Sequence, residues 1–423
     1  MNVFKKHLST NRDGLSDTQY GIPIFIFFTV RLFLLLYGRN SFSSWMTTPY
    51  VITYRLGFIA RAFIGSIIAI FTDYLTLRAF KVILVAVALV LLAMISSLIG
   101  KVIANSQPDY KNAVLVFAAL FISAPVSMMY LLESHFGRLE TFLLIFTLVA
   151  LMCLNKPALK WAVPVLCFAA VATHPGYLTT YVPAIAIPLL YEVYRNKCSK
   201  KNSILFFSSC AIMIGFFIYF QLFSRSQLDF ETADKMGEFL SKYTDMKIGY
   251  QMLYLEYFAP FPEWVIDFII PFTLSMNGPV SIVLLTVSLP LIIVFGALWK
   301  TCIRQAGNKF LKFIFILCAA APLLFIVAAV FGNDWDRWWS AVINCQFVFL
   351  FYFIYRKESA IIDPIKKVKE FFDRHALVLY VVLIFGGLAL LSNIGTLFLE
   401  FLDKSIYDNY YGPRVNNFDY MLG

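Results

Sequence analysis

The chain is 423 residues long, 60% hydrophobic and 14% charged, with a formal net charge of +10. Soluble domains carry about 25% charged residues, so this composition excludes an ordinary soluble fold. The positive charge does not mark a nucleic-acid binder, because the basic residues cluster in short links between apolar runs, as the positive-inside rule describes.

Apolar runs of about 20 residues recur along the chain, the length that crosses a bilayer. Backbone polar groups in lipid must be satisfied within a helix or a closed barrel. The runs are too long and too uniformly apolar for barrel strands. The expected fold class is therefore an all-α polytopic membrane protein, one integral membrane domain with about 11 transmembrane helices. The seven cysteines, Cys153, Cys167, Cys198, Cys210, Cys302, Cys318 and Cys345, fall in apolar runs or in links expected in the cytoplasm. They show no metal spacing, so neither disulfides nor structural zinc are expected.

In chain order, residues 1–20 are polar, carry Lys5, Lys6 and Arg12, and predict a cytoplasmic start without a cleavable leader. The first span is expected at about 22–37, with Arg31 inside it. Residues 38–79 form the first extracytoplasmic segment. Within it, Gly57–Phe71 (GFIARAFIGSIIAIF) is too short to cross and is expected as a helix lying at the interface. Spans follow at about 80–100, 113–131, 139–154, 161–173, 177–194 and 204–223. Residues 224–276 form a long extracytoplasmic segment. Its end, Trp264–Met276, contains Asp267 and Pro271 and is expected to be re-entrant or interfacial. The last spans are expected at about 279–299, 310–331, 338–355 and 377–398, before an extracytoplasmic tail over 399–423. This parity places every strongly basic short link, and most of the 35 Lys and Arg residues, on one side, which the positive-inside rule assigns to the cytoplasm.

Five groups of ionisable and aromatic residues then gather on the outer side. YRLGFIARAFIG carries Arg55 and Arg61, with Arg39 before it and Asp73 after it. ESHFGRLE supplies Glu133, His135, Arg138 and Glu140, and THPGY supplies His174. The segment that begins at Arg225 ends in the aromatics Tyr243, Tyr250, Tyr254, Tyr257, Phe258, Phe261 and Trp264. GNDWDRWW, Gly332 to Trp339, pins Asp334, Asp336 and Arg337 between two apolar runs, with Trp338 among its three tryptophans. Each group also has a plainer reading. Arg55 and Arg61 snorkel to lipid phosphates. HFGRLE is a capped helix start with a local Arg–Glu pair. His174 is a structural breaker, the aromatics form an interfacial belt, and the acidic link is a salt-bridged turn. The coincidence of all five on one face favours a site, since ionisable groups at a membrane edge point to function.

Arginines bind phosphate bidentately and stay charged. A carboxylate takes the proton from an attacking sugar hydroxyl, and aromatic faces stack on sugar rings. Together these suit sugar transfer from a polyprenyl phosphate or diphosphate carrier to a glycan acceptor. Arg61, Arg55, Arg138 and Arg337 would hold the donor phosphate, which gains charge in the transition state. His174, His135, Tyr254, Tyr257 and Trp338 would line the site. No Gly-rich phosphate loop and no metal-ligand motif is present, so no cofactor is assigned, and a divalent cation is left open.

The layout resembles the GT-C-type membrane glycosyltransferases, whose first extracytoplasmic loop is built of juxtamembrane helices, as residues 38–79 are expected to be. It is similar in size and external tail to the O-antigen-modifying glucosyltransferases of phages and enteric bacteria. It also resembles the O-antigen and capsule polymerases, which have Arg-rich external loops. The resemblance implies an enzyme of the bacterial cytoplasmic (inner) membrane acting on its extracytoplasmic face in cell-envelope polysaccharide biosynthesis. The GT-C pattern places its catalytic acid early in the first external loop, whereas here that loop holds only Asp73, near its end. The expected base is therefore Asp336 or Asp334, then Glu140. A repeat-unit polymerase is the nearest alternative. A lipid-linked glycan flippase or transporter is another, against which stand the lack of internal repeats and of paired broken helices.

Overall fold

The structure, a computed structural model, describes residues 16–36, 42–134, 136–259, 278–324, 326 and 335–391. The expectations for the N-terminal stretch, Arg39, His135, Asp334, the Trp264–Met276 helix and the tail lie outside the described residues.

Among the described residues the regular elements are helical, apart from a single bridge between Leu75 and Thr244. Helix α1 (Asp17–Leu36) leads to the short external helix α2 (Ala62–Ala69). There follow α3 (Leu77–Ala104), α4 (Pro108–Ile122), α5 (Met128–Ser134), α6 (Glu140–Leu154), α7 (Ala162–Thr173), α8 (Val182–Arg195) and α9 (Lys200–Phe223). Helix α10 (Ala233–Leu240) lies in the long polar segment, and α11 (Gly278–Gln305), α12 (Lys309–Ala320), α13 (Trp335–Tyr355), α14 (Ser359–Arg374) and α15 (Ala376–Leu391) complete the order. Several starts are written locally. The side chains of Thr76, Ser199, Thr232 and Asn308 accept the N–H groups of Ala79, Asn202, Lys235 and Leu311, capping α3, α9, α10 and α12.

Among the described residues four helices are long and apolar enough to cross a membrane: α3, α9, Ile282–Gln305 of α11 and Arg337–Tyr355 of α13. Other runs expected to span are shorter helices. α6 has 15 residues and α7 has 12, roughly 22 Å and 18 Å of helix against about 30 Å of hydrocarbon. The run expected as one span at 113–131 is two helices, α4 and α5. Pro125 lies in the break, where it lacks an N–H and disfavours helical geometry at Ala124. The run expected at 310–331 leaves the α-helix at Ala320 for a tighter turn, Ala321–Leu324, around Pro322. The interfacial helix expected over Gly57–Phe71 is confined to Ala62–Ala69.

One helix was not expected. The Lys-rich link after α13 folds as α14 and buries Ala360, Ile361, Pro364, Ile365 and Phe372. These residues recur at helical spacing, with the charged residues on the opposite face. Lys366 on that face reaches Asp109 at 2.5 Å, docking α14 against the start of α4.

Helix α13 is the centre of the bundle. Of its apolar stretch 72% is buried, against 39%, 22% and 33% for α3, α9 and α11. It packs against α3, α5, α8, α11, α12 and α14. At the periphery, α1 lies along α3 at backbone contact. A β-carbon at Gly100 would stand 2.5 Å from the Asp17 carbonyl oxygen and 2.9 Å from the Gly21 nitrogen. Small residues allow this kind of approach between apolar helices.

Ion pairs sort the helix ends into two groups. Arg337 with Glu140, Arg61 with Glu256 and Arg55 with Asp73 lie at one end. Arg356 and Lys160 with Glu192, and Lys366 with Asp109, lie at the other. Arg337 and Arg356 mark the two ends of α13, about 28 Å apart at 1.5 Å per residue. Among the described residues no ion pair joins a residue of one expected face to the other.

Gly100→Leu is expected to lower the thermal unfolding midpoint of the detergent-purified protein by several degrees, since overpacking costs about 1–3 kcal/mol. Gly215→Leu, where an added β-carbon meets nothing within 4 Å, should leave it unchanged. Equal midpoints for the two variants would contradict the close α1–α3 packing.

Candidate functional site

The central helix carries a polar stripe. Arg337, Ser340 and Asn344 are spaced three and four residues apart, so they share one face of α13. Each finds a partner on a neighbouring element. The Ser340 hydroxyl donates to the Ser127 carbonyl at 2.7 Å, just past the Pro125 break. The Asn344 amide donates toward the Tyr181 hydroxyl at 3.4 Å. Arg337 donates to Glu140, and both side chains are only 5% exposed.

Glu140 opens α6, where the helix dipole favours a negative charge. One carboxylate oxygen takes the Arg337 guanidinium. The other, Oε2, is buried with no hydrogen-bond partner among the described residues, as are Asn344 Oδ1 and the Tyr50 hydroxyl. An unmet buried polar atom costs about 1–3 kcal/mol, so such atoms mark a place that a ligand or water would fill. Tyr50 lies close enough to Glu140 that burial first, and then the Glu140 charge, push its pKa well above the ordinary phenol value. It therefore stays neutral, with a hydroxyl that has no partner among the described residues.

The two long segments expected on the outer side build the rest of this end. The Leu75 N–H donates to the Tyr243 carbonyl at 2.8 Å, the Leu77 N–H to Asp245 at 2.6 Å and the Gly249 N–H to the Thr48 hydroxyl at 2.8 Å. Further along, the Ala60 N–H donates to Ser224 at 2.9 Å, and the Tyr257 hydroxyl donates to the Ala60 carbonyl at 2.8 Å. These bonds hold Arg61 at the start of α2 in a left-handed conformation, φ 65°. That conformation costs a non-glycine residue about 1–2 kcal/mol, and it presents the Arg61 side chain to Glu256 at 2.7 Å. Gly65 makes the fit possible, since a β-carbon there would stand 2.1 Å from the Ile52 carbonyl oxygen.

The expected site residues divide accordingly. Glu140 and Arg337 meet directly, with Trp338 buried beside them. Asp336 lies in the first turn of α13, and its Cα is about 3.8 Å along the chain from that of Arg337; its side chain is outside the described residues. Arg138 donates to the Trp45 carbonyl at 3.4 Å and lies over the Trp45 ring, so HFGRLE is tied to the first external segment. Arg55 pairs with Asp73 and stands 5.4 Å from the Tyr243 ring centre. The Arg55 and Asp73 side chains are 46% and 80% exposed, so that pair contributes little to stability. Arg61 pairs with Glu256, and no described contact carries it to Glu140. Tyr257 is buried and Tyr254 exposed. The His174 ring accepts the N–H of Gly176 at 2.9 Å within its own turn, the structural role that its place before Pro175 suggested. Glu140 finds Arg337, 197 positions away in the sequence.

A cleft of about 380 Å³ of empty space opens at this end, lined by Arg55, Asp73, Tyr243, Gly65 and Tyr50. Tyr50 thus connects the Arg55 cleft to the Glu140–Arg337 pair. Burial raises the pKa of Tyr54 to about 12, and also raises that of Tyr257, so both phenols remain neutral. Among the described residues no group of three His, Cys, Asp or Glu side chains is placed to hold a metal ion. Tyr50, Ser340, Asn344 and Glu256 were missed from sequence. Asn344 had a signal, being an amide in the middle of an apolar run. Tyr50 had none.

No family model, curated protein or solved structure matches the chain. Chemically, the arrangement offers a buried carboxylate with one open oxygen, a guanidinium on the other and neutral phenols nearby. That set suits proton removal from a hydroxyl beside an anionic group.

Arg337→Met is expected to destabilise the protein by about 3–5 kcal/mol, because it strands a buried carboxylate, and Glu140→Gln strands the arginine in turn. The double variant Glu140→Gln/Arg337→Met should recover most of that loss. Thermal unfolding of the two single variants and the double variant measures the coupling, and additive losses would mean that the two groups do not interact.

Proposed function

We propose that the chain is a membrane glycosyltransferase that moves a sugar from a polyprenyl-phosphate-linked donor to a cell-surface glycan. It works at the extracytoplasmic face of a bacterial cytoplasmic membrane, in a GT-C-like bundle of about 11 spans. The observation that carries this reading is Glu140. It is buried at the expected outer end, pairs with Arg337, and has a second oxygen without a partner among the described residues.

In this mechanism a carboxylate of the α6/α13 corner, Glu140 or the neighbouring Asp336, takes the proton of the acceptor hydroxyl as it attacks the anomeric carbon. The sugar–phosphate bond breaks, and the polyprenyl phosphate leaves with the bonding pair. Arg337, Arg138, Arg55 and Arg61 line its path, where a guanidinium offers several donors even when one engages a carboxylate. Charge that develops on the leaving phosphate is stabilised there more strongly than in the ground state. Tyr50, whose hydroxyl has no partner among the described residues, supplies a neutral donor to a sugar hydroxyl. Joining repeat units to a growing chain uses the same chemistry with a longer donor.

The purified protein in proteoliposomes, given a polyprenyl-phosphate sugar and the glycan of a deletion strain, is expected to form the glycosylated product. Asp336→Asn and Glu140→Gln should each be tested. The variant that removes the base is expected to lower the rate by about 10²–10⁴-fold; Asp336→Asn should keep an unfolding midpoint near that of the parent, whereas Glu140→Gln, which strands buried Arg337, is compared on the folded fraction. Near-normal rates for both, or donor movement across the bilayer without bond formation, would remove the transferase reading. Sidedness has its own check. An impermeant maleimide added to intact spheroplasts is expected to label Tyr74→Cys and Glu231→Cys, and to reach the exposed native Cys198 only after permeabilisation. The reverse pattern would invert the proposed orientation.

A further inference from the structure

A second cleft, about 1090 Å³ of empty space and open at its mouth, lies between α3, α6 and α13. Its mouth is at the opposite end of the bundle from the Arg55 cleft. Lys101, Lys156 and Asn155 line it there, and the walls above them are apolar, with Leu148 and Phe347 among them. The deep end is reached at Asn344. Asn344 and Tyr355 both line the cleft, and the helix between them rises about 16 Å. That is roughly half of a hydrocarbon layer about 30 Å thick, the depth of one leaflet.

The mouth is cationic because of its lysines. α3, α6 and α13 all end there, and helix C-termini by themselves present about half a negative charge each. Lys101 and Lys156 more than offset this. Neither lysine takes part in an ion pair among the described residues, although Lys160 and Arg356 nearby are committed to Glu192. Arg356 also donates to Asn155 at 3.2 Å, which holds that amide at the mouth.

We propose that this cleft binds an anionic membrane lipid of the leaflet on the Lys101 side. One hydrocarbon chain lies between α3, α6 and α13, and the phosphate head group is held by Lys101 and Lys156. A soluble anion would leave the apolar walls unfilled, and a neutral hydrocarbon would leave the lysines unmatched. An amphiphile with an anionic head satisfies both. The cleft touches the polar stripe only at Asn344, its lysines lie at the far end, and the proposal does not depend on the sugar-transfer reading.

The test is native mass spectrometry of the full chain in detergent, titrated with phosphatidylglycerol and with phosphatidylcholine of the same acyl chains. One phosphatidylglycerol is expected to bind in preference to phosphatidylcholine. Each lysine near a charged surface contributes about 5-fold, so Lys101→Gln/Lys156→Gln should weaken phosphatidylglycerol about 25-fold and abolish the preference. Leu148→Trp, which fills the cleft, should weaken both lipids. Inorganic phosphate at millimolar concentration should not displace the lipid. Unchanged phosphatidylglycerol binding in the double lysine variant overturns the proposal. So does displacement by inorganic phosphate, which would indicate a head-group site without the cleft. The lysine variant alters only groups at the mouth, so its result stands even if Leu148→Trp does not fold.

Discussion

A buried arginine and a buried glutamate cannot be left apart. Each alone at the level of Arg337 or Glu140 would face a desolvation penalty of several kcal/mol, and only contact between them offsets it. This one contact sets where α6 begins relative to α13, and so where the central helix sits among its neighbours. The α6 dipole favours the carboxylate at its own N-terminus. The arginine receives no such help from the α13 dipole, and Glu140 is a partner that it meets directly. A pair of this kind adds little net stability over well-packed apolar groups. Its presence at the centre of the bundle is better accounted for by use than by folding, and that is the physical basis for placing the proposed sugar transfer there.

Around this pair the polar end is built by exchange between two external segments far apart in sequence. Residues 42–75 contribute the short helices and turns, and residues 224–259 hold them through backbone and hydroxyl hydrogen bonds. Left-handed Arg61 and the close approach at Gly65 are both consequences of that clamp. The arginines therefore sit in a framework fixed by main-chain contacts. Their ion pairs with Asp73 and Glu256 orient them without using all their donors.

The opposite end follows a different rule. There Glu192 gathers Arg356, Lys160 and the Tyr352 hydroxyl, and α14 lays its apolar face on the bundle. Lysines left over from this network rim the deep apolar cleft. Charge that a topology rule explains in one dimension thus acquires a particular use in three. A residue placed near the cytoplasmic boundary by the positive-inside rule need not be a topology signal only.

Composition and periodicity determined, without the structure, that the chain would be helical and rich in apolar segments. Hydrophobicity and helix breakers are local properties that can be read residue by residue. Arg61–Glu256, Arg337–Glu140, Arg356–Glu192 and Lys366–Asp109 each join groups expected on one face. Candidate residues of the outer end were legible because an ionisable group beside an apolar run is anomalous by itself. What the sequence could not decide was which of them meet. That Glu140 finds Arg337 rather than Arg138, that Arg61 finds Glu256, and that Tyr50 and Asn344 belong with them depends on the rotation and spacing of helices joined across hundreds of residues. The lengths of the expected spans were also settled only in three dimensions. Pro125 and Pro322 interrupt runs that hydropathy reads as continuous, because hydropathy registers side-chain polarity and not a missing backbone N–H.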